Sequence, residues 1–159
     1  MLRAHGVERL VDVRTVPRSR HNPQFNLAAL PASLAEAGIE HRHMPGLGGL
    51  RHARKDSRNT GWKNASFRGY ADYMETPEFE ENLRALMGLD ADKRTAIMCA
   101  ESVPWRCHRS LIADALTARG IAVAHIMSAT KANPHKLTSF ARVEGERVRY
   151  PSPEMELGF

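Results

Sequence analysis

The run Thr95-Ala96-Ile97-Met98-Cys99-Ala100 constrains the fold more than any other segment. It is a short apolar stretch after a charged turn, with the length and flanks of a buried strand. A helix is predicted over 105–119, with Leu111, Ile112, Ala115 and Leu116 on one face and Gly120 as its stop. A further strand is predicted over 121–126. Strand, helix and strand at this spacing predict a right-handed parallel βαβ unit, and with it the α/β class.

The upstream half fits that class. Residues 9–14 predict a strand that puts Val11 and Val13 on one face and Leu10, Asp12 and Arg14 on the other. Two prolines exclude helix from the loop over 15–23. A short helix is predicted over 31–37, with Pro31 in its first turn and Gly38 as its stop, and a strand over 39–44. Residues 45–66, with Gly46, Gly48, Gly49 and Gly61, predict a long loop, and loops of that length are often functional. Helices are predicted over 67–74 and 77–88; Thr76 caps the second, followed by Pro77, Glu78, Glu80 and Glu81. The expectation is a single three-layer α/β domain over 1–150, a mainly parallel sheet flanked by helices, with 151–159 as a tail.

The chain has 159 residues, enough for one hydrophobic core, and is 42% apolar and 26% charged, which excludes disordered and collagen-like classes. Two cysteines are too few for a disulfide framework, and the first residues lack the apolar stretch of a secretory signal. A reducing cytoplasm is therefore expected. No apolar run approaches the roughly 20 residues of a membrane helix, so no membrane partner is expected. The net charge is +5, but residues 1–70 hold 12 Lys/Arg against 5 Asp/Glu, and residues 71–159 hold 11 against 13. Of the 23 basic residues 18 are arginine, which favours forked recognition of phosphate or carboxylate. An anionic small molecule or nucleotide is the expected partner.

The strongest chemical signal is Cys99-Ala100-Glu101-Ser102-Val103-Pro104-Trp105-Arg106-Cys107-His108-Arg109. It joins the end of a strand to the start of a helix, the edge at which open α/β sheets bind ligands and where helix N–H groups favour anions. Cys107, beside His108 in the first helical turn, is the candidate reactive thiol. Cys99, inside the strand, reads more as a small buried hydrophobe, although alternation places it on one face with Glu101. His108 and Glu101 are candidates for proton transfer, and Arg106 and Arg109 for holding the anion. Cys107 also lies four residues before Leu111, so a purely structural place in the buried stripe stays open. Six residues separate Cys99 from Arg106, where a phosphatase loop has five, and ligand pairs two to four apart are absent, so no metal is expected.

Asp12 and Arg14, with Arg18 and Ser19 in the following loop, form a second constellation. It either opens on the same crevice or is an ion-pair network that fixes the loop. Arg51, Arg54, Lys55, Arg58, Trp62, Lys63 and Arg68 form a third, in which basic charge interleaved with aromatic rings suits nucleic acid. His125 reads as a hydrogen-bonded core histidine rather than a ligand, and Tyr70, Tyr73 and Met74 as packing.

These segments together resemble one family, the domain of unknown function 488. The resemblance rests on Val11-Asp12-Val13-Arg14 with Pro17 and Ser19, on Phe25, and on Leu47-Gly48-Gly49. It continues through residues 67–74, Cys99-Ala100-Glu101, Cys107-His108-Arg109 and His125-Ile126, and covers about residues 1–140. It implies a compact α/β domain with a polar pocket that includes Asp12, Arg14, Gly48, Gly49, Tyr70, Cys99, Glu101, Cys107, His108 and Arg109. It names no reaction and no cofactor. Similar sequences open with an extra strand ahead of Leu2-Arg3-Ala4-His5-Gly6, so the resemblance implies a sheet lacking that strand here. The expected function is an enzyme acting on a phosphate-bearing or nucleotide-like substrate, with a non-catalytic nucleic-acid-binding module as the alternative.

Overall fold

Asp12 carries a charge to the carboxyl end of the central strand, where its carboxylate is fully enclosed. The computed structural model describes residues 1–15, 23–26, 28–99 and 107–153. Strand β1 (Arg9–Asp12) is central, pairing in parallel with β2 (Glu40–His43) on one side and β3 (Thr95–Met98) on the other. All four of its residues are buried, as a strand covered on both faces requires. The register sets Asp12 against His43 and Met98, so the three strands end together at one carboxyl edge.

The faces of β1 alternate as its sequence predicts. Val11 and Val13 face the main core with Tyr70, Phe79, Leu83, Leu111 and Ile112. Those partners come from α2 (Ala65–Tyr73), α3 (Pro77–Asp92) and α4 (Arg109–Ala118). Leu10 faces the other side, where α1 (Leu30–Glu36) packs Leu30 and Leu34 beside Ile39. Helices thus cover both faces of a parallel sheet, a mixed α/β architecture. No helix among the described residues is long and apolar enough to cross a membrane.

The caps lie where side-chain chemistry places them. Asn64 accepts from the N–H groups of Ser66 and Phe67 at the start of α2, and Thr76 from that of Phe79 at the start of α3. Arg9 bridges Glu40, Asp92 and the Leu89 carbonyl, tying β1 to β2 and to the end of α3.

The second half corrects the predicted βαβ unit. Residues 124–126 form β4 (Ala124–Ile126), which pairs antiparallel with β5 (Ala132–Pro134) rather than parallel with β3. A three-residue strand gains more from its neighbour across a short turn than from a distant partner, because closing the short loop costs less chain entropy. A hairpin of β6 (Arg142–Glu144) and β7 (Arg147–Arg149) follows. It delivers Tyr150 into the core, where the ring is fully buried.

The long loop is likewise fixed. Asp72 of α2 is buried and accepts from the Arg54 N–H, the Ser57 hydroxyl and the Asn59 amide. Gly69 permits the approach, since a Cβ there would lie 2.2 Å from the Arg51 carbonyl oxygen. A glycine-to-alanine change inside a helix ordinarily stabilises by roughly 0.5–1 kcal/mol. Gly88→Ala in α3, with nothing within 4 Å of its Cβ position, should do so. Gly69→Ala should instead destabilise by about 1–3 kcal/mol, both read from urea midpoints.

Candidate active site

The carboxyl ends of β1 and β3 and the N-terminal turn of α4 converge on Cys107 and His108. Cys107 is buried and forms a disulfide with Cys99, which lies one residue past the end of β3. Cys99, expected inside the strand, lies just past the end of β3, and Cys107, expected in the first helical turn, lies two residues before α4. Their pairing is a finding of the tertiary structure. The two meet because the end of β3 lies beside the first turn of α4.

His108 is the organising group. Its Nε2 lies 3.2 Å from the Val13 carbonyl oxygen, which can only accept, so Nε2 carries the proton. Nδ1 is then the lone-pair nitrogen of the neutral ring, and it sits 3.6 Å from Cys107 Sγ. The Arg109 backbone N–H points at the same sulfur at 3.4 Å. Tyr70 packs against the imidazole at 4.9 Å between ring centroids. Burial pushes the His108 pKa down to about 4, and the positive charges of Arg109 and Arg51 act in the same direction.

The two glycines of the loop serve this wall. A Cβ on Gly48 would lie 2.3 Å from Thr15 Oγ1, whose hydroxyl donates to the Gly49 carbonyl. A Cβ on Gly49 would come within 3.2 Å of His108 Nδ1. Leu50 then turns through a left-handed conformation, φ 61°, with its side chain 80% exposed at the rim.

Asp12 and Arg14 satisfy each other. The guanidinium donates to both carboxylate oxygens, Nη2 to Oδ2 at 2.6 Å, and also to the Phe25 carbonyl. His43 donates to the Arg14 carbonyl at 2.8 Å. Of the two sequence readings, the structure contains the ion-pair network. Tyr70, also expected in the pocket, is 1% exposed and gives its hydroxyl proton to the Leu47 carbonyl, so it forms a wall of the site from behind. Glu101, Arg106, Arg18 and Ser19 lie outside the described residues.

The residues expected to meet nucleic acid are divided. Trp62 packs against Phe67, Phe140 and Tyr150 with centroids 4.8–5.4 Å away, and Arg68 donates to its carbonyl. Arg51 lies over the Tyr73 ring at 3.7 Å. Arg54 pairs with Glu75, while Lys55, Arg58 and Lys63 are exposed. Arg54 and Arg58 line a cleft of about 730 Å³ with Arg84, Arg119, Arg147 and Arg149, away from Cys107.

The order of motifs decides the family. The profile of the domain of unknown function DUF488 matches residues 1–116, from the start of the chain through most of α4. The chain belongs to this family. The matched span includes β1, the Gly48–Gly49 wall and the whole Cys99–Arg109 segment, so the thiol centre lies inside the family domain. The β4–β7 hairpins lie beyond it. No curated protein and no solved structure matches the chain.

Two expected outcomes follow from the site geometry. Removing one partner of a buried pair leaves the other uncompensated. Arg14→Met should therefore lower stability by about 3–5 kcal/mol, whereas Arg42→Met, at an exposed pair with Glu40, should cost under about 1 kcal/mol. Because His108 titrates at about 4 in the fold and near 6.5 when unfolded, the unfolded chain binds the extra proton between those values. Its contribution is fully present above pH 6.5, declines as the pH falls to about 4, and is constant below. Denaturant midpoints of His108→Gln should show a shallower fall across that window than the parent.

Proposed function

We propose that this DUF488 protein is an enzyme acting on a phosphate-bearing or nucleotide-like anionic substrate at the carboxyl edge of its sheet, with Cys107 as the reacting thiol and Cys99 as the thiol that closes on it. The supporting observation is the convergence on one sulfur of a disulfide partner, a lone-pair imidazole nitrogen at 3.6 Å and a helix-terminal N–H at 3.4 Å. Disulfides in intracellular proteins are usually transient and catalytic or redox-sensing, which favours chemistry over stapling if the expected cytoplasmic setting holds.

A dithiol reductant supplies two electrons and two protons, releasing both cysteines as thiols and leaving as its own disulfide. The Cys107 proton then passes to His108 Nδ1. The resulting thiolate favours the imidazolium beside it, so reduction should raise the His108 pKa from about 4. The Arg109 N–H and the N-terminus of α4 stabilise the thiolate. The same positive end and the Arg109 charge favour an anionic substrate group beside the sulfur.

Alkylation tests the reading. In protein reduced with dithiothreitol, the pH–rate profile of iodoacetamide labelling at Cys107 should have its midpoint a unit or more below the ordinary thiol value of about 8.5. Inorganic phosphate should slow the labelling, and His108→Gln should slow it further at neutral pH. An ordinary midpoint with no protection by phosphate would overturn the proposal.

A further inference from the structure

A second group of titratable residues stands apart from the cysteine pair. Asp114, on the buried face of α4, is fully buried among Leu111, Ile112 and Ala115. Its carboxylate accepts from four donors. His135 Nε2 at 2.8 Å and the Thr138 N–H at 3.1 Å meet Oδ1; the Thr138 hydroxyl at 2.7 Å and the Tyr150 hydroxyl at 2.8 Å meet Oδ2. Four donors fill the acceptor sites of an ionised carboxylate.

In the neutral pair of histidines, the donors along the chain set both tautomers. His135 gives its Nε2 proton to Asp114, so its Nδ1 is a lone pair. That nitrogen lies 2.7 Å from His125 Nε2, which must therefore be the donor. In neutral His125 this leaves Nδ1 without a proton. No hydrogen bond to that atom is formed among the described residues. His125 lines a groove of about 790 Å³ whose walls include Ile97, Ala113, Leu116 and Val123, together with Arg109.

We propose that Asp114, His135 and His125 form a proton relay, and that His125 Nδ1 is a general base opening on this groove. When Nδ1 takes a proton from a bound molecule, the Nε2 proton passes to His135 Nδ1, and the imidazolium that forms there is balanced by Asp114. The net change is one proton taken from the substrate. The groups acting on His125 are His135 from the segment after β5, and Arg109 and Asp114 from α4. Burial, His135 and Arg109 hold its pKa below the ordinary value, while Asp114 opposes them. The largely apolar walls with the Arg109 charge fit a substrate with an apolar body, an anionic group and a dissociable proton.

The proposal is independent of the thiol centre, and its experiment uses the intact chain with neither cysteine altered. Long-range ¹H–¹⁵N correlation spectra should show neutral His125 protonated on Nε2; protonation on Nδ1 would overturn the relay. Diethyl pyrocarbonate, which acylates neutral imidazole, gives a second readout. Between pH 7.5 and 5.5 the labelling rate of N-acetylhistidine falls to about a tenth, whereas the rate at His125 should fall by clearly less. A parallel fall would overturn the proposal.

Asp114→Asn can keep its amide oxygen toward the Thr138 N–H and His135 while losing the charge, so the midpoint of His125 labelling should fall. An unchanged midpoint would mean that the aspartate only staples the hairpin to α4. If that variant does not fold, the tautomer of the parent protein still decides. Octanoate should slow labelling of His125 and not of N-acetylhistidine; an absence of slowing at millimolar octanoate would exclude the proposed substrate class.

Discussion

Asp12, Asp72 and Asp114 sit in the interior with exposures of 0–3%, and the loops are arranged to supply hydrogen-bond donors to each. A carboxylate buried without donors costs several kcal/mol, more than most single contacts return. The chain answers locally at Asp12, with Arg14 and its N–H. At Asp72 the donors come from 54–59, and at Asp114 from His135, Thr138 and Tyr150. Residues 54–59 are thereby tied to α2, and His135 and Thr138 to α4.

This arrangement also decides which charges are left for chemistry. Arg14 is paired with Asp12 at the end of β1. The Val13 carbonyl next to it sets the tautomer of His108 and so turns Nδ1 toward the sulfur. At Asp114 the same requirement orders His135 and, through it, His125. One helix, α4, carries both Asp114 and the first turn that faces Cys107, so the two sites share a rigid support.

Much of this was legible in the sequence. The alternation in 9–14, the caps Thr76-Pro77 and the apolar run 95–98 are local signals, and their elements lie where they point. Cys107 and Gly49 stand beside His108, and Cys99 reaches Cys107. Other features had only faint signals. Asp114 is a lone acid within an apolar helical stripe, and Asp72 lies between Ala71 and Tyr73 on a buried face; each marks a polar hub without naming its partners. His135 carried no signal, because its partner lies 21 residues away on another element. The strand at 124–126 was legible and its pairing was not, because a strand's pattern does not specify its neighbour.

By itself, the sequence determined the α/β class, the faces of β1, the capped start of α3 and the concentration of cysteine, histidine and arginine ahead of α4. These follow from periodicity, capping and composition, which act over a few residues. Only the tertiary structure decided that Cys99 closes on Cys107, that Asp12 takes Arg14, that Trp62 is packed among other rings, and that His125 is aimed by His135 and Asp114. Each depends on which distant groups the fold brings within about 3–4 Å, where hydrogen bonds and packing contacts act.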